Sequence, residues 1–468
     1  MAKALNLRVL KATTLLGSTQ LFGMLCSVVR IKLLSLWVWP LGVGLAGLFG
    51  QAQDMVGNLT QLNVRTSAVR DLAATADDER RRLMAGAVRR VSATLGLLGA
   101  LIMLLGAPLI SLWAFGSGEW TWCFRVLSLS VFCMAMQGGE TVILQAEGRF
   151  KSIGAAGLAT AVIGLAIAAP LFWFLRANGV VFSLLGYSAA SWGVARWMTR
   201  GIRARSPGWR ESWRMSAGFI RVGVFLTAGM ILGDVIGFVT LAFMERQGDE
   251  VLSLYQAGYL MIWRYVGLLF ASLSFEFYPR LSRACTSARR MGVLMSHESL
   301  LITAIYLPCA SLAVALAPQI IRLLYSSNYL GVLPYFIWGM VGMAFRPLAL
   351  VAAFGILSRA RGFLYVLTEA LSAAFGLLAT IGGYYWWGFT GVGVGLIFWM
   401  MADVVVGLAA CRLKGIACIS WRVPAAVLAG ALMLFVAVTP MALWDAWYVP
   451  LAATPVLAIP ALRLLLGK

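Results

Sequence analysis

The sequence predicts an all-α membrane protein with about fourteen transmembrane helices. Its 468 residues are 61% hydrophobic and have a mean hydropathy of +0.86, well above the apolar share of soluble domains. The apolar runs reach the roughly 20 residues that cross a bilayer as a helix. They lack the period-two alternation that spanning β-strands show. Basic residues fall mostly in alternate short connections, as they do in multi-pass proteins.

The spans follow from the apolar runs in chain order, and their ends are approximate. They are roughly residues 11–38, 42–64, 88–115, 120–147, 152–175, 178–198, 216–243, 251–279, 298–323, 329–357, 361–382, 390–411, 423–441 and 446–466.

The basic residues set the predicted orientation. They are densest at 65–90 and 200–214, in even-numbered connections, whereas the odd connections carry little beyond Arg176 and Arg246. Since basic loops stay inside, we expect an inner-membrane protein with both termini cytoplasmic. Acidic-lipid binding is an alternative role for the same arginines. The net charge of +20 is explained by this topology, so no nucleic-acid partner is expected.

The chain repeats weakly at an offset of about 210 residues. Residues 106–112 match 316–322, and the end of the fourth span, at Gly148 and Arg149, matches the end of the tenth, at Ala360 and Arg361. Six spans separate the halves, which makes them parallel repeats, as in many alternating-access transporters. We predict an amino-terminal lobe at 1–199, a basic linker at 200–215, a carboxy-terminal lobe at 216–413, and two extra helices at 414–468.

Charged side chains inside the spans are the strongest functional signal, because a cation at membrane depth is costly unless it faces water, a partner or a ligand. The predicted substrate-binding residues are Arg30, Lys32, Gln51, Asn58, Gln256, Arg264 and Arg346. Carboxylates stand inside the spans as well, among them Asp54, Asp234 and Glu140.

The spacing of these residues suggests a wet, positively charged cavity. Gln51, Asp54 and Asn58 share one helix face, and Gln256 lies eight residues before Arg264. Mid-depth cations outnumber the mid-depth carboxylates, so unpaired positive charge could neutralise a diphosphate, which arginine binds in a fork geometry. The same residues could instead form buried ion pairs that lock helices together, and Lys32 could snorkel outward. We also expect Pro347 to break the tenth span.

Catalytic motifs are missing from the sequence. It has a single histidine, His297, and no GxxxxGK[ST] loop, so we expect no metal site, no cofactor and no enzyme activity. Tryptophans and tyrosines near the predicted outer edges, including Trp444 and Trp447, indicate an interfacial aromatic belt. A carbohydrate-stacking platform at Tyr384 to Trp387 is the alternative interpretation of one such cluster.

Two stretches carry a resemblance to a known superfamily. The runs KLLSLWVWPLGVGLAGLFGQ (32–51) and SFEFYPRLSRA (274–284) resemble the polysaccharide-exporter branch of the multidrug/oligosaccharidyl-lipid/polysaccharide (MOP) superfamily, in particular its Wzx-type flippases. The resemblance implies V-shaped lobes, with helices 1, 2, 7 and 8 lining a central cavity. It implies phosphate binding by Arg30, Arg264 and Arg346. It also implies coupling to a cation gradient through carboxylates inside the spans, and the predicted cation-coupling residues are Asp54, Asp234 and Glu140.

The function implied is a flippase that moves a polyprenyl-diphosphate-linked oligosaccharide, an O-antigen or exopolysaccharide repeat unit, to the outer leaflet, with Na⁺ or H⁺ coupling left open. Its expected partners are that lipid, the bilayer and the polysaccharide polymerase machinery. A lipid II flippase is the nearest alternative, because the extra two spans depart from the twelve of many members. A multidrug exporter and a membrane glycosyl- or acyltransferase are alternatives of other classes.

Overall fold

The computed structural model describes residues 19, 22–61, 68–69, 72, 77–202, 207–274, 277–284, 287–359, 362–417 and 419–465. The first part of the first predicted span, 11–18, and part of the basic linker, 203–206, lie outside the described residues. The described residues form helices and contain no β-strand. By its contacts the chain divides into two compact units, residues 1–253 and 254–468.

The first unit consists of long helices. They are α1 (22–37), α2 (Gly42–Gln61), α3 (Asp78–Phe115), α4 (Thr121–Ala146), α5 (Phe150–Met198), α6 (Trp209–Glu245) and the start of α7 (Asp249–Tyr259). The helix α5 is two predicted spans joined at Arg176, whose φ of 49° and ψ of −125° are not helical.

Local sequence explains where α3 begins and ends. The Asp77 side chain accepts a hydrogen bond from the Glu79 amide at 3.1 Å, which caps the amino terminus. At the other end Gly116 adopts a left-handed conformation with φ 68°, and its amide donates to Leu112 O. Inside the unit, glycines allow close helix packing, since a Cβ at Gly139 would lie 2.6 Å from Ser92 Oγ.

The second unit begins inside α7. It continues with a π-helix (Leu260–Tyr265), α8 (Val266–Ser274), α9 (Phe277–Arg283), α10 (Ala288–Ala315), α11 (Ala317–Leu324), a 3₁₀ turn (Ser327–Val332), α12 (Leu333–Met343), α13 (Arg346–Ser358), α14 (Gly362–Leu413), α15 (Arg422–Trp444) and α16 (Tyr448–Leu465). The helix α14 is again two predicted spans, joined by non-helical backbone at Trp387 and Gly388.

The tenth span breaks where the sequence predicted. The segments Ser327–Met343 and Arg346–Ser358 are bent by 50° relative to each other. Pro347 lies at the start of α13, where a proline's missing N–H costs no helical hydrogen bond. The predicted interruption of this span is therefore confirmed.

Membrane-spanning length and composition are met by six of the described helices, or by seven when the bent pair counts as one span. Two of those six, α5 and α14, each contain two predicted spans. With these divisions, the described helices account for each of the fourteen predicted positions, and the prediction of an all-α membrane fold is confirmed.

Candidate functional site

A polar cluster in the first unit joins α2 to α6. Asn58 Nδ2 donates to Asp234 Oδ2 at 2.7 Å, and Gln51 Nε2 donates to the Asp234 main-chain oxygen at 3.1 Å. Gln51 and Asn58 lie seven residues apart on α2, so both face α6. The structure thus brings together two of the predicted substrate-binding residues and one predicted coupling carboxylate. Asp54, on the same helix, is exposed.

Two predicted cations lie on α1. The Arg30 guanidinium lies 5.1 Å from the ring centroid of Tyr187, a cation–π arrangement. Arg30 and Lys32 are both half-buried.

The predicted coupling residue Glu140 lies in a third setting, buried at 0% exposure. Arg89 Nε donates to Glu140 Oε1 at 2.9 Å, and Arg89 Nη2 donates to Oε2 at 2.9 Å, which is a bidentate pair. Thr199 Oγ1 donates to Oε2 at 2.6 Å, and Arg196 lies 3.7 Å from Oε1. These contacts tie α3, α4 and α5 together at the end predicted to face the cytoplasm.

Arg264 lies in the second unit, on the π-helix Leu260–Tyr265. Its side chain is exposed and makes no hydrogen bond or ion pair with the described residues. A π-turn costs hydrogen-bond quality and is frequent at functional sites. Gln256, eight residues earlier, is only 8% exposed, and its Oε1 is buried without a hydrogen bond from the described part of the chain. The two residues therefore differ in exposure although the spacing places them on neighbouring faces.

Arg346 begins α13 and is paired. Its Nη1 lies 3.3 Å from Asp403 Oδ2, and its guanidinium lies 5.5 Å from the Trp263 ring centroid. Glu369 is within electrostatic range of both Arg346 and Asp403. Trp263 precedes Arg264 on the π-helix, so Arg346 packs against the element that carries Arg264.

Three of these partners were not assigned by sequence reasoning. Asp403 and Glu369 stand alone in their spans, and nothing in their local sequence indicates that they face Arg346. Arg89 was counted with the basic residues at the start of the third span, yet it lies eleven residues into α3, which begins at Asp78 and not at residue 88. A search for a helix cap upstream of the apolar run could have found that earlier start.

Each unit therefore carries a predicted substrate-binding arginine. In the first unit Arg30 lies against Tyr187, and in the second Arg264 lies exposed on the π-helix without an ion pair to the described residues. Arginine recognises phosphate through parallel N–H···O bonds, and such bonds strengthen where water is scarce.

Comparison with known proteins gives one family match. A family model described as polysaccharide biosynthesis protein matches residues 77–334, more than half of the chain. No curated protein matches the chain.

Among solved structures, several share the fold at low identity. The lipid II flippase MurJ, in an inward closed conformation, aligns with 12% identity and a TM-score of 0.68, covering 97% of this chain and 99% of its own. An inward-facing multidrug resistance MATE family transporter of the MOP superfamily aligns with 15% identity and a TM-score of 0.67, covering 85% and 95%. The Vibrio cholerae MATE transporter VcmN, in its bent form, aligns with 14% identity and a TM-score of 0.56, covering 86% and 98%.

Proposed function

The chain belongs to the family of polysaccharide biosynthesis proteins and has the MOP transporter fold, and from that premise we propose that it is a flippase. Its proposed substrate is a polyprenyl-diphosphate-linked oligosaccharide, an O-antigen or exopolysaccharide repeat unit. The substrate would cross the inner membrane to the outer leaflet by alternating access. The chain is proposed to act as a transporter, not an enzyme, with both termini cytoplasmic and the polymerase machinery as a downstream partner.

The observation that carries the proposal is Arg264. Leaving an arginine exposed at membrane depth, with no ion pair to the described residues, is costly unless a ligand or water compensates it. A diphosphate supplies the missing charge. An exporter of organic cations would instead be served by a carboxylate there, so this arginine disfavours the multidrug alternative.

A lipid II flippase is the second candidate function. The MurJ structure covers 97% of this chain, against 85% and 86% for the two MATE transporters described above. Both substrates carry a polyprenyl diphosphate, so they share the arginine chemistry and differ in the sugar and the attached peptide.

Cation coupling, to Na⁺ or H⁺, is proposed for Asp54 and Asp234. Of the three carboxylates predicted for coupling, Glu140 already pairs with two arginines, whereas Asp234 accepts hydrogen bonds only from the neutral amides of Gln51 and Asn58 within the described part of the chain. A carboxylate that faces neutral donors retains a net negative charge for a cation or a proton to neutralise.

The test is transport in reconstituted vesicles, with a polyprenyl-diphosphate-linked sugar followed from one leaflet to the other. Removing the charge with Arg264→Ala should lower the rate about tenfold or more, because a charge-assisted contact contributes roughly 1.5–3 kcal/mol. Arg264→Lys should recover part of the transport rate, since lysine keeps the positive charge but not the paired N–H donors of the guanidinium. The matched control is Arg289→Ala, an exposed arginine in the first turn of α10, which should transport normally.

Arg346 needs a different design because it is paired. Arg346→Ala alone leaves Asp403 without its partner, so the double variant Arg346→Ala/Asp403→Asn separates a lost phosphate contact from an uncompensated carboxylate. If Arg264→Ala transports normally, the cationic-site argument fails. If the intact protein moves lipid II but not lipid-linked oligosaccharides, the second candidate function replaces the first.

A further inference from the structure

The turn between α15 and α16 borders an open pocket. Its volume is about 490 Å³, and it is lined by Pro440 and residues 444–449. That volume falls within the roughly 300–1,000 Å³ typical of small-molecule sites. The turn lies at the end of the two extra helices that the positive-inside pattern predicts to face outward, so a ligand would come from the outer side.

Aromatic rings dominate the pocket. Trp444, Trp447 and Tyr448 are 74%, 50% and 62% exposed, and the rings of Trp447 and Tyr448 stand nearly perpendicular, with centroids 6.4 Å apart. The two rings pack edge to face, so the pair presents both a ring face and a ring edge to the pocket. An interfacial aromatic belt, the role the sequence predicted for the two tryptophans, explains exposed rings but not a pocket.

Asp445 is the residue of this pocket that an aromatic belt does not explain. It adopts a left-handed conformation, φ 53° and ψ 27°, at the end of α15. The turn is closed by main-chain bonds only, from the Ala446 amide to Pro440 O at 3.2 Å and from the Trp447 amide to Asp445 O at 2.9 Å. The exposed Asp445 carboxylate makes no hydrogen bond or ion pair with the part of the chain that the structure describes.

The residue type is therefore not explained by the cap. Glycine or asparagine serves as a left-handed helix cap at no greater cost. A belt at the membrane interface also gains nothing from a carboxylate, which prefers water to that environment. The carboxylate can accept hydrogen bonds from hydroxyl groups of a ligand, and the aromatic faces beside it can pack on an apolar face of the same ligand. A hydroxylated ring offers both.

We propose that this hairpin pocket binds a pyranose ring, and, resting on the proposed function, that the ring belongs to the oligosaccharide arriving at the outer leaflet. The apolar C–H face of a sugar packs on an indole or phenol ring, and the two oxygens of Asp445 accept bonds from adjacent hydroxyls. The pocket gives the two extra helices a role in receiving the head group.

The test measures sugar binding directly, without transport. Saturation-transfer difference NMR on the full chain in lipid nanodiscs would use free N-acetylglucosamine and methyl α-mannoside as probes. The wild type should saturate at least one of them. Asp445→Asn, which keeps the left-handed cap but removes the charge, should weaken binding about tenfold, the loss expected for a charge-assisted contact. Trp447→Leu, which removes an aromatic face from the pocket, should weaken binding as well. Trp113→Leu, an exposed tryptophan on α3, is the matched control and should leave binding unchanged.

The outcomes separate this inference from the proposed function. Equal signals in wild type, Asp445→Asn and Trp447→Leu, with unchanged melting temperatures, would overturn the sugar site and leave an aromatic belt. Loss of signal in Trp447→Leu with full signal in Asp445→Asn would also overturn it, because the carboxylate is the group that the belt does not need. A wild type that moves lipid-linked sugar in vesicles but saturates neither probe overturns the pocket alone. One that saturates a probe but moves no lipid overturns the function alone.

Discussion

Replacing Glu140 by glutamine tests whether this carboxylate stabilises the first unit or couples transport. Glu140 is fully buried, and Arg89, whose side chain is only 17% exposed, holds it with a bidentate pair. Glu140→Gln leaves the Arg89 charge without its partner. Breaking a buried pair by removing one member costs about 3–5 kcal/mol.

The lower end of that range applies here. Arg89 lies in the amino-terminal third of α3, toward the predicted cytoplasmic end, and its side chain is already 17% exposed, so it can reach toward water once it is released. We therefore expect Glu140→Gln to lower the free energy of unfolding by about 3 kcal/mol. Thr199, which also donates to Glu140, keeps an acceptor in the glutamine oxygen.

The assay is equilibrium unfolding in mixed detergent micelles, followed by intrinsic fluorescence, on the single variants and the double variant. Arg89→Met/Glu140→Gln should recover most of the loss, because no charge is then stranded. Arg196→Ala is the matched control. Its side chain is 49% exposed and lies 3.7 Å from Glu140, so removing it should change stability by less than about 1 kcal/mol.

One result would refute the structural role. If Glu140→Gln unfolds like the wild type but loses gradient-driven transport, Glu140 is a coupling carboxylate, and its arginine partners serve to tune it rather than to join helices.

Three further predictions concern other sites. Asp234→Asn should abolish the dependence of transport on a cation gradient while leaving exchange without a gradient intact, since Asn58 can still donate to the new side-chain oxygen. Burial, and secondly the nearby Asp249, raise the pKa of the Glu245 carboxyl, beyond the predicted end of the seventh span, from 4.5 to about 7. Because this pKa is raised on folding, the contribution of Glu245 to stability is present below about pH 4.5 and is lost as the pH rises through 7. The melting temperature of Glu245→Gln should therefore equal that of the wild type at pH 4 and exceed it at pH 8. Deleting one residue from Leu260–Tyr265 should restore α-helical turns and rotate the following segment by roughly 100°. Vesicle transport and thermal unfolding of this variant should show a larger loss of transport than of stability.

The helices themselves could be predicted because their cause is local. Apolar runs of spanning length, alternate basic connections and Pro347 are all properties of consecutive residues, and the structure places helices and the break accordingly. The sequence did not predict the first part of α3, before residue 88, because charged residues precede the apolar run there. Helix formation in that part depends on the Asp77 cap and not on hydropathy.

The pairing of charges could not be predicted in the same way. Arg346 and Asp403 are 57 residues apart, and their contact depends on how α13 packs on α14, which no periodicity encodes. The π-helix around Arg264 likewise has no sequence signature, since its extra residue per turn is accommodated by packing. From the sequence, Arg264 and Arg346 were both counted as surplus positive charge. In the structure Arg346 is paired, whereas Arg264 makes no ion pair with the described residues.

The separation of Arg346 from Asp403 also has a consequence for biogenesis. Chains are synthesised at about 5–20 residues per second, so the 57 residues between the two partners take roughly 3–11 seconds to emerge. During that interval the arginine must wait at the insertion machinery or in the bilayer without the carboxylate that will neutralise it. Release of this segment into lipid before the second half of α14 is made would leave Arg346 at membrane depth without Asp403, which is costly. Later release is therefore favoured, and the order of helix insertion becomes part of how the chain acquires its charge arrangement.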